Sequence, residues 1–571
     1  MLQYMGKDAS ANIKRRDSFK YVLVAEGVII GLISGAVVSL FRLSLVYADR
    51  LRDWAGGLAR SSFSYALIYA AVLIAIVFII SLLLGCEPDI AGSGIPQVEA
   101  ELRGRKDMRW HRVLAAKFAG CALAIGGGLA LGREGPSIQL GAMVGKGFSR
   151  MRKRLLTEER LLITCGAGAG LSAAFGAPLA GALFALEELH RNFSAEVLLS
   201  AMAASAASEF VAGNVFGLSP VFGFETEHGL PLSCYWALIL LGLLLGLLGM
   251  LYNSTIASMQ DIFDRAGLAV AGAAERLTGA KIFNNTDHTY TKKGEAAART
   301  GRLFIMFSCA IVLVFLYPDA LGSGSWLVGE TALGKFSLAA LASLFIIKFI
   351  YSTACFGSGS PGGIFLPLLV LGASAGGLFC RVLGLFGFDQ KYMTAMVVVA
   401  MAGAFSAIVR APVTGIILIT EMTGDFTCLL PLVMTSLIAY VTAELLKVEP
   451  IYTQLLNRSS AKARGDSGRT GSSGGRRSGN AGGLLLRDRK VVLDADIHTG
   501  SFMDGKSVME FGLPMGTLII SVMRGGAEII PDGHTILRDG DILEILTREQ
   551  DIQDVEDIVE EKCRKALPEL K

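Results

Sequence analysis

The sequence predicts an all-α polytopic membrane protein, built as an inverted repeat of broken helices and followed by a small cytoplasmic α/β domain. Hydrophobic residues make up 52% of the 571 residues and charged residues only 18%, whereas soluble proteins carry about 25% charge. Several apolar runs approach or exceed the roughly 20 residues needed to cross a bilayer. These runs are Tyr21–Val46, Tyr65–Leu84, Leu161–Leu186 and Tyr235–Met250.

Basic residues indicate how the chain is oriented. Residues 1–20 form a basic N-terminal segment without a small-residue cleavage site behind it, so the first apolar run is predicted to be a retained helix. Even numbers of apolar segments separate the Lys/Arg clusters at 103–112, 146–154 and 276–302. The positive-inside rule then makes that face cytoplasmic, together with both termini. We expect a multi-pass protein of a prokaryotic plasma (inner) membrane.

An internal repeat relates two parts of the chain. "SAAFGAPLAGALFALEE" (172–188) matches "SAIVRAPVTGIILITEM" (406–422) at a constant offset, and "GREGP" (132–136) matches "GIFLP" (363–367) at nearly the same offset. Duplicated membrane units with Gly/Pro-interrupted helices at matching places are typical of transporters whose site lies near the midplane. The repeat therefore predicts a transporter.

Gly and Pro interrupt apolar sequence at "GSGIP" (92–96), "GREGP" (132–136) and "GSGSPGGIFLP" (357–367). Each motif is predicted to be an unwound loop followed by a helix that begins inside the membrane. The first N–H groups of such a helix have no intrahelical partner and attract anions. Several helix starts would bind an anion weakly enough for it to leave again. Gly141 and Gly145, by contrast, are predicted to serve helix packing.

Glu134 is the ionisable residue that these motifs single out. A carboxylate at bilayer depth is costly and is functional by default. Ionised, Glu134 would itself occupy the anion site at its helix N-terminus; protonated, it would swing aside. We therefore predict that Glu134 is both a gate and a proton carrier, with Arg133 in a supporting role.

Glu187 and Glu188 end an apolar run, and two interpretations of this pair stay open. Ionisable groups at helix ends reach water cheaply, which favours an interfacial pair. Glu187 is duplicated as Glu421, which predicts a packing or capping role common to both halves. Glu188 is matched by Met422, so its role is particular to one half, as that of a proton donor would be.

The C-terminal part has a different composition. Residues 457–483 are rich in Gly, Ser and Arg, which predicts a flexible linker. Residues 484–571 are predicted to form a compact soluble domain. Its alternating segments predict β-strands at 490–497, 517–526, 527–533 and 541–547, and helical spacing follows at 549–567.

The membrane motifs resemble those of the CLC chloride channel and antiporter family in order and spacing. "APLAGALFALEE", "RAPVTGIILITEMT" and "EPIYTQLL" extend the resemblance, which covers about 21–456. It implies a CLC-type bundle, a homodimer with one pore per subunit, and chloride and protons as substrates. The alternative on the same scaffold is a passive chloride channel, gated by voltage or pH.

The resemblance also implies roles for individual residues. Glu188 is similar to the internal proton glutamate of the family's exchangers, which favours exchange of two chlorides for one proton. Ser93, where other members have Pro, implies preference for chloride over nitrate, and the sequence does not resemble the fluoride exporters. The residues that the resemblance assigns to chloride binding are Ser93, Gly94, Ile95, Arg133, Gly135, Gly363, Ile364, Phe365 and Tyr452.

The soluble domain resembles the TrkA-C domain of potassium-transport systems through "PMGTLIISVMRGGAEIIPDGHTILRDGDILEIL". This resemblance implies a cytoplasmic sensor for a nucleotide or another small molecule; a dimerisation module without a ligand is the equal alternative. A cation channel is disfavoured because no "TVGYG"-like filter is present. We expect no enzyme activity, metal, cofactor or nucleic-acid partner. We expect membrane lipid to surround the helices. A polar insertion at 271–300 receives no function.

Overall fold

The computed structural model divides the chain into two compact units, a helical one that ends at Arg469 and a smaller one from Thr470 onward. In the described part, eight helices are long and apolar enough to span a membrane. The predicted class, an all-α membrane protein with a small C-terminal α/β domain, is confirmed. The structure describes residues 2–191, 194–224, 230–278, 283–284, 289–290, 292–467, 490–498, 500–524, 527–548 and 551–564.

Two sets of eight helices follow one another in the described part of the membrane unit, and a single helix ends it. The first set is α1 (Leu2–Ser61), α2 (Phe63–Cys86), α3 (Ile95–Leu102), α4 (Trp110–Gly126), α5 (Glu134–Arg152), α6 (Leu156–Phe175), α7 (Pro178–Phe184) and α8 (Ala195–Phe216). The second set is α9 (Tyr235–Thr278), α10 (Lys292–Leu316), α11 (Ser325–Ala332), α12 (Leu338–Gly357), α13 (Phe365–Gly384), α14 (Met393–Val409), α15 (Pro412–Thr423) and α16 (Leu429–Leu445). The last helix is α17 (Ile451–Ser467).

The two sets are related as an inverted repeat. Gly132 and Gly363, at matching positions, pair as antiparallel residues and exchange two N–H to C=O hydrogen bonds of 2.7 Å. Glu187 accepts hydrogen bonds from the first turn of α15, and its duplicate Glu421 accepts them from the first turn of α7. A local two-fold axis produces such reciprocal contacts. The predicted repeat is confirmed, as is the capping role of both glutamates.

The apolar run Leu161–Leu186 is long enough to form a single membrane-spanning helix, but the structure divides it between two helices. Helix α6 ends at Phe175, because Gly176 adopts the left-handed conformation with φ 68° and Pro178 begins a new helix. The Gly–Ala–Pro sequence thus breaks a run that hydropathy alone would join.

Helices also extend into segments that composition separated from the membrane unit. Residues 2–20 belong to α1, and α17 continues into the predicted 457–483 linker as far as Ser467. The remainder of that linker lies outside the described residues. In the polar insertion, α9 continues to Thr278 and α10 begins at Lys292; between them the structure describes the paired strands β1 (Phe283–Asn284) and β2 (Thr289–Tyr290).

Helix α5 lies in the interior of the membrane unit. Every residue from Glu134 to Ser149 is buried. A methyl group on Gly141 or Gly145 would clash with backbone oxygens of α6. Such close approach of two backbones through small residues is typical of helix packing in membranes. The predicted packing role of both glycines is confirmed, and the start of α5 is held deep within the protein.

The C-terminal unit contains four strands and a helix in its described part, namely β3 (Lys490–Asp496), β4 (Leu518–Arg524), β5 (Ala527–Ile529), β6 (Ile542–Arg548) and α18 (Ile552–Val559). The strands form an antiparallel sheet in the order β3-β6-β4-β5. Helix α18 packs on this sheet through Val555 and Val559, which share a core with Leu543 and Ile545. The four predicted strands and the helix after them are confirmed.

Asp541 joins the end of β4 to the turn before β6. Both its oxygens accept hydrogen bonds from the Arg524 guanidinium, at 2.8 and 2.6 Å, and Oδ2 also accepts one from the Arg538 N–H. Burial raises the pKa of the Asp541 carboxyl, but these hydrogen bonds and the Arg524 charge outweigh it, so the pKa lies below its ordinary value. The pair therefore stabilises this unit above the unfolded-state pKa of about 3.9.

We expect Asp541→Asn to destabilise the C-terminal unit by about 2 kcal/mol, because Arg524 then loses a charged partner. Pulse proteolysis of the full chain across a urea gradient measures the shift in the unfolding midpoint of this unit. In the unchanged chain the contribution of Asp541 should disappear as pH falls below about 4, through the folded-state pKa. An equal midpoint for both chains at pH 7 would contradict this prediction.

Candidate functional site

Each Gly/Pro motif ends a loop and starts a helix, as predicted. Helix α3 begins at Ile95, α5 at Glu134 and α13 at Phe365. In all three helices the proline lies in the first turn, where its missing N–H costs no hydrogen bond. The first residue of each helix is buried, so the first-turn N–H groups lie in the protein interior.

The three loops contact one another. The Gly132–Gly363 pair joins the second loop to the third, and the Gly362 N–H donates to the Gly92 C=O of the first loop at 3.0 Å. A Cβ on Gly135 would lie only 2.8 Å from the Ser93 carbonyl oxygen. The starts of α3, α5 and α13 are thus assembled into one cluster, which we call the loop cluster.

The Glu134 side chain extends from the start of α5 to the start of α13. It is completely buried, and its Oε2 accepts a hydrogen bond of 3.3 Å from the Leu366 N–H. Arg133 Nε lies 3.9 Å from the other carboxylate oxygen. The carboxylate thus sits where first-turn N–H groups would bind a free anion. The sequence does not mark Leu366 as a site residue, because its contact is made by a backbone N–H from the other half of the repeat.

Gly132 leaves the space that the Glu134 carboxylate occupies. A Cβ at this position would overlap Glu134 Oε2 and lie 3.1 Å from the Leu366 backbone nitrogen. The backbone of Gly132 is not in the left-handed region. An alanine could therefore adopt the backbone conformation of Gly132, and only the volume of its methyl group would conflict with the surroundings.

Ser93 and Tyr452 supply buried hydroxyls next to the loop cluster. Ser93 Oγ accepts a hydrogen bond of 3.2 Å from the Ile95 N–H. Tyr452, in the first turn of α17, has no hydrogen-bond partner for its buried hydroxyl among the described residues. That hydroxyl interacts electrostatically with the Glu188 and Glu134 carboxylates. A buried hydroxyl without a protein partner is uncommon, and this one is free to donate to an anion.

Phe365 occupies the position in the second half that Glu134 occupies in the first. Its ring packs 4.7 Å from Phe405 and 6.1 Å from Phe184, and the Phe184 ring meets the Tyr452 ring edge-on at 6.5 Å. The repeat therefore places an ionisable side chain at one helix start and an apolar one at its counterpart.

The remaining predicted residues lie in the same loops. Gly94, with φ 95°, packs so closely on Gln139 that a Cβ would overlap its side chain. Ile364 immediately precedes the first turn of α13 and is buried. The structure thus brings together all the predicted chloride residues of the three loops, with Tyr452 beside them through Phe184.

A π-helical turn, Ala185–His190, follows α7 and separates the directions of two adjacent glutamates. Glu187 points to α15, where its Oε2 accepts hydrogen bonds of 2.8 and 2.7 Å from the Thr414 N–H and hydroxyl. Glu188 is only 5% exposed, and its Oε1 lies 3.8 Å from Arg191 Nη2. Single π turns often occur at functional sites because they reorient side chains. Of the interpretations left open, capping is confirmed for Glu187; proton transfer by Glu188 stays a prediction.

Two buried lysines that were not among the predicted site residues support the loops. Lys117 Nζ donates to two carbonyl oxygens of the loop before α3 at 2.9 and 2.7 Å, and Lys348 Nζ donates to the two matching carbonyls before α11 at 2.9 and 2.7 Å. The loops share the pattern "PDxxGSG" at 88–94 and 318–324. That third block of the repeat was the signal that would have found them.

Comparison with protein-family models matches both units of the chain. The model described as "Voltage gated chloride channel" matches residues 75–444, and the model of the TrkA-C domain matches residues 492–560. The first match covers well over half of the chain. The second confirms the predicted TrkA-C resemblance.

Individual proteins agree with these matches. The chain is 32% identical to the H(+)/Cl(-) exchange transporter ClcA of Vibrio cholerae serotype O1 over 80% of this chain and 94% of that protein. Identity to the ClcA of Vibrio parahaemolyticus serotype O3:K6 is 33%, with the same coverage. A crystal structure of a slow cyanobacterial Cl⁻/H⁺ antiporter superposes with a TM-score of 0.69 at 29% identity, covering 77% of this chain and 98% of that one. The chain therefore belongs to the voltage-gated chloride channel family.

Proposed function

We propose that this chain exchanges chloride for protons across the membrane. The observation that carries the proposal is the position of Glu134, a fully buried carboxylate hydrogen-bonded to the start of α13. A helix start is an anion site, so the carboxylate competes with a free anion for it. The names of the Vibrio relatives and of the cyanobacterial structure support chloride and protons as the two substrates.

Glu134 links the two ions through its own charge. Ionised, it is attracted to the N–H groups and positive dipole end of α13 and blocks that position. When it binds a proton the attraction is lost, the side chain leaves, and chloride takes its place. Loss of the proton restores the carboxylate, which displaces chloride. Each cycle thus moves a proton in one direction and chloride in the other.

The proposed chloride site combines backbone N–H groups with two hydroxyls. Ser93 and Tyr452 donate from their side chains, and Ile364 and Phe365 from the start of α13. Gly94, Ile95 and Gly363 shape the loops that carry these groups. The backbone N–H groups around Arg133 and Gly135 contribute at the position that the Glu134 carboxylate occupies. Partial charges at helix starts bind an ion more weakly than a buried cation would, which permits conduction.

We propose that Glu188 transfers protons between Glu134 and the inner solution. Arg191 joins it to Thr453, the residue next to Tyr452 on α17. Glu188→Gln should abolish proton flux while chloride flux persists, because an amide cannot release a proton. Proteoliposomes loaded with chloride, with external pH recorded as chloride leaves, measure both fluxes. Normal proton flux in this variant would return Glu188 to the interfacial-pair interpretation.

The alternative function, a passive chloride channel, is distinguished by the reversal potential. Under opposing chloride and proton gradients, an exchanger reverses at a voltage that depends on both ions. A channel reverses at the chloride equilibrium potential alone. A reversal potential that ignores a tenfold proton gradient would reject exchange.

We further propose a homodimer in the plasma (inner) membrane with both termini cytoplasmic. In the C-terminal unit, we propose that a small-molecule ligand binds in a surface cavity lined by Asp496, His498 and Asp539. Two carboxylates repel an anionic nucleotide, so among small molecules we favour a neutral or cationic one. The alternative is that the C-terminal unit is a dimerisation module without a ligand, which crosslinking between the C-terminal units of two copies tests.

A further inference from the structure

Arg191 directly follows the π-helical turn that carries Glu188. In the described part of the chain it is one of four non-glycine residues with a left-handed backbone, with φ 54°. Its Nη2 lies 3.1 Å from Glu99 Oε1 and 3.8 Å from Glu188 Oε1, and it donates to Thr453 Oγ1 at 3.2 Å. Its Nε donates to the Glu188 carbonyl oxygen at 3.3 Å. One guanidinium thus contacts three separate elements.

Each of these elements carries a residue of the proposed site. Glu99 is on α3, the helix that follows Ser93; Thr453 follows Tyr452 on α17; and Glu188 is the proposed inner proton carrier. Glu99 is completely buried, whereas the Arg191 side chain is 42% exposed. Arg191 is therefore where this group of buried carboxylates meets the surface of the protein.

Two of the other titratable groups around Glu188 make their contacts elsewhere. Its neighbour Glu187 caps α15, and His190 Nδ1 lies 3.2 Å from Thr164 Oγ1. Glu99 approaches from α3 and shares the Arg191 guanidinium with Glu188, and Tyr452 lies on α17 next to Thr453, which Arg191 also contacts. Arg191 Nη2 thus lies 3.8 Å from the Glu188 carboxylate and 3.1 Å from that of Glu99.

We infer that Arg191 is a positioning residue for proton transfer: it holds Glu188 beside Tyr452 and attracts the ionised carboxylate, so that the proton is released. This inference rests on the proposed exchange function and on Glu188 as its inner carrier. A guanidinium suits this task because its planar fork can contact two carboxylates and a hydroxyl from one fixed position. An opposite charge at this distance favours the ionised form of its partner.

A purely structural ion pair makes a different prediction. Its loss would lower the amount of folded protein and reduce proton and chloride flux by the same factor. A positioning role for Glu188 affects proton flux alone, because the proposed chloride ligands do not contact Arg191. The ratio of the two fluxes therefore separates these interpretations.

The test compares Arg191→Gln, Arg191→Lys and Arg458→Gln in proteoliposomes of the full chain, with chloride and proton flux recorded together. Arg458 is the matched control, because it lies on α17, the helix that Arg191 contacts through Thr453, but pairs with Asp261 and Asp264, away from Glu188. We expect Arg191→Gln to slow proton flux about three- to fivefold, as loss of a partly exposed charge pair does, with chloride flux within about twofold. Arg191→Lys should restore part of the proton flux, and Arg458→Gln should leave the ratio unchanged.

A second comparison uses Glu188→Gln. In that background, adding Arg191→Gln should not change chloride flux further, because Arg191 acts through Glu188. An unchanged flux ratio in Arg191→Gln, with proton flux lost in Glu188→Gln, overturns this inference alone. Normal proton flux in Glu188→Gln overturns the proposed role of Glu188 itself. Should Arg191→Gln not fold, Arg191→Met takes its place because it keeps a long side chain without the charge, and an unchanged flux ratio in that variant overturns the inference.

Discussion

Glu134→Gln will abolish proton flux through this protein while chloride continues to flow. Glutamine has nearly the shape of a protonated glutamate, so it fits the same space without the charge that competes for the start of α13. It cannot take up or release a proton near neutral pH. We therefore expect chloride efflux from proteoliposomes without measurable proton uptake, and a reversal potential set by chloride alone.

Glu187→Gln is the matched control for this experiment. It makes the same chemical change in a carboxylate that caps α15 across the repeat. The charge-assisted hydrogen bond is weakened, at a cost of about 1 kcal/mol in stability, but the ratio of chloride to proton flux should not change. Persistent proton transport in Glu134→Gln would remove Glu134 from the mechanism.

Gly132→Ala should open the anion pathway while leaving the glutamate in place. The added methyl group occupies the volume of Glu134 Oε2, and the carboxylate is the mobile end of a flexible side chain. Overpacking of this kind costs about 1–3 kcal/mol, which lowers occupancy of the closed position about fivefold or more. We expect faster chloride flux and a higher ratio of chloride to proton flux.

A double-mutant comparison tests whether Gly132 acts through the carboxylate. In a Glu134→Ala background, Gly132→Ala should change chloride flux little, because the group it displaces is absent. Gly141→Ala, on the same helix, should instead lower stability, because Gly141 packs on the backbone of α6. Equal effects of Gly132→Ala with and without the carboxylate would contradict this explanation.

Much of the architecture follows from local sequence. The broken helices at "GSGIP", "GREGP" and "GSGSPGGIFLP" were predictable because Gly and Pro act on the backbone within a few residues of themselves. The alternating strands of the C-terminal unit were predictable because each has one buried face. The repeat was predictable because its two copies keep the same residues at the same spacing.

Contacts across the repeat were not predictable in the same way. The Leu366 N–H that meets Glu134 is a backbone group, so no residue type marks it. The Glu99–Arg191 pair joins segments far apart in the chain, and charged pairs of this kind leave no periodic pattern. One prediction from the length of an apolar run was wrong, because hydropathy does not register the helix break that Gly176 and Pro178 make between α6 and α7.

The Gly132–Gly363 pair limits the kind of movement that transport can use. Many repeat-built transporters expose their site alternately by rocking one half against the other as rigid bodies. Here the halves exchange two backbone hydrogen bonds of 2.7 Å beside the ion's proposed position, and the glutamates at α7 and α15 add further ties. Rocking would break these bonds in every cycle. We therefore expect turnover to proceed by excursions of single side chains within a scaffold that keeps its shape.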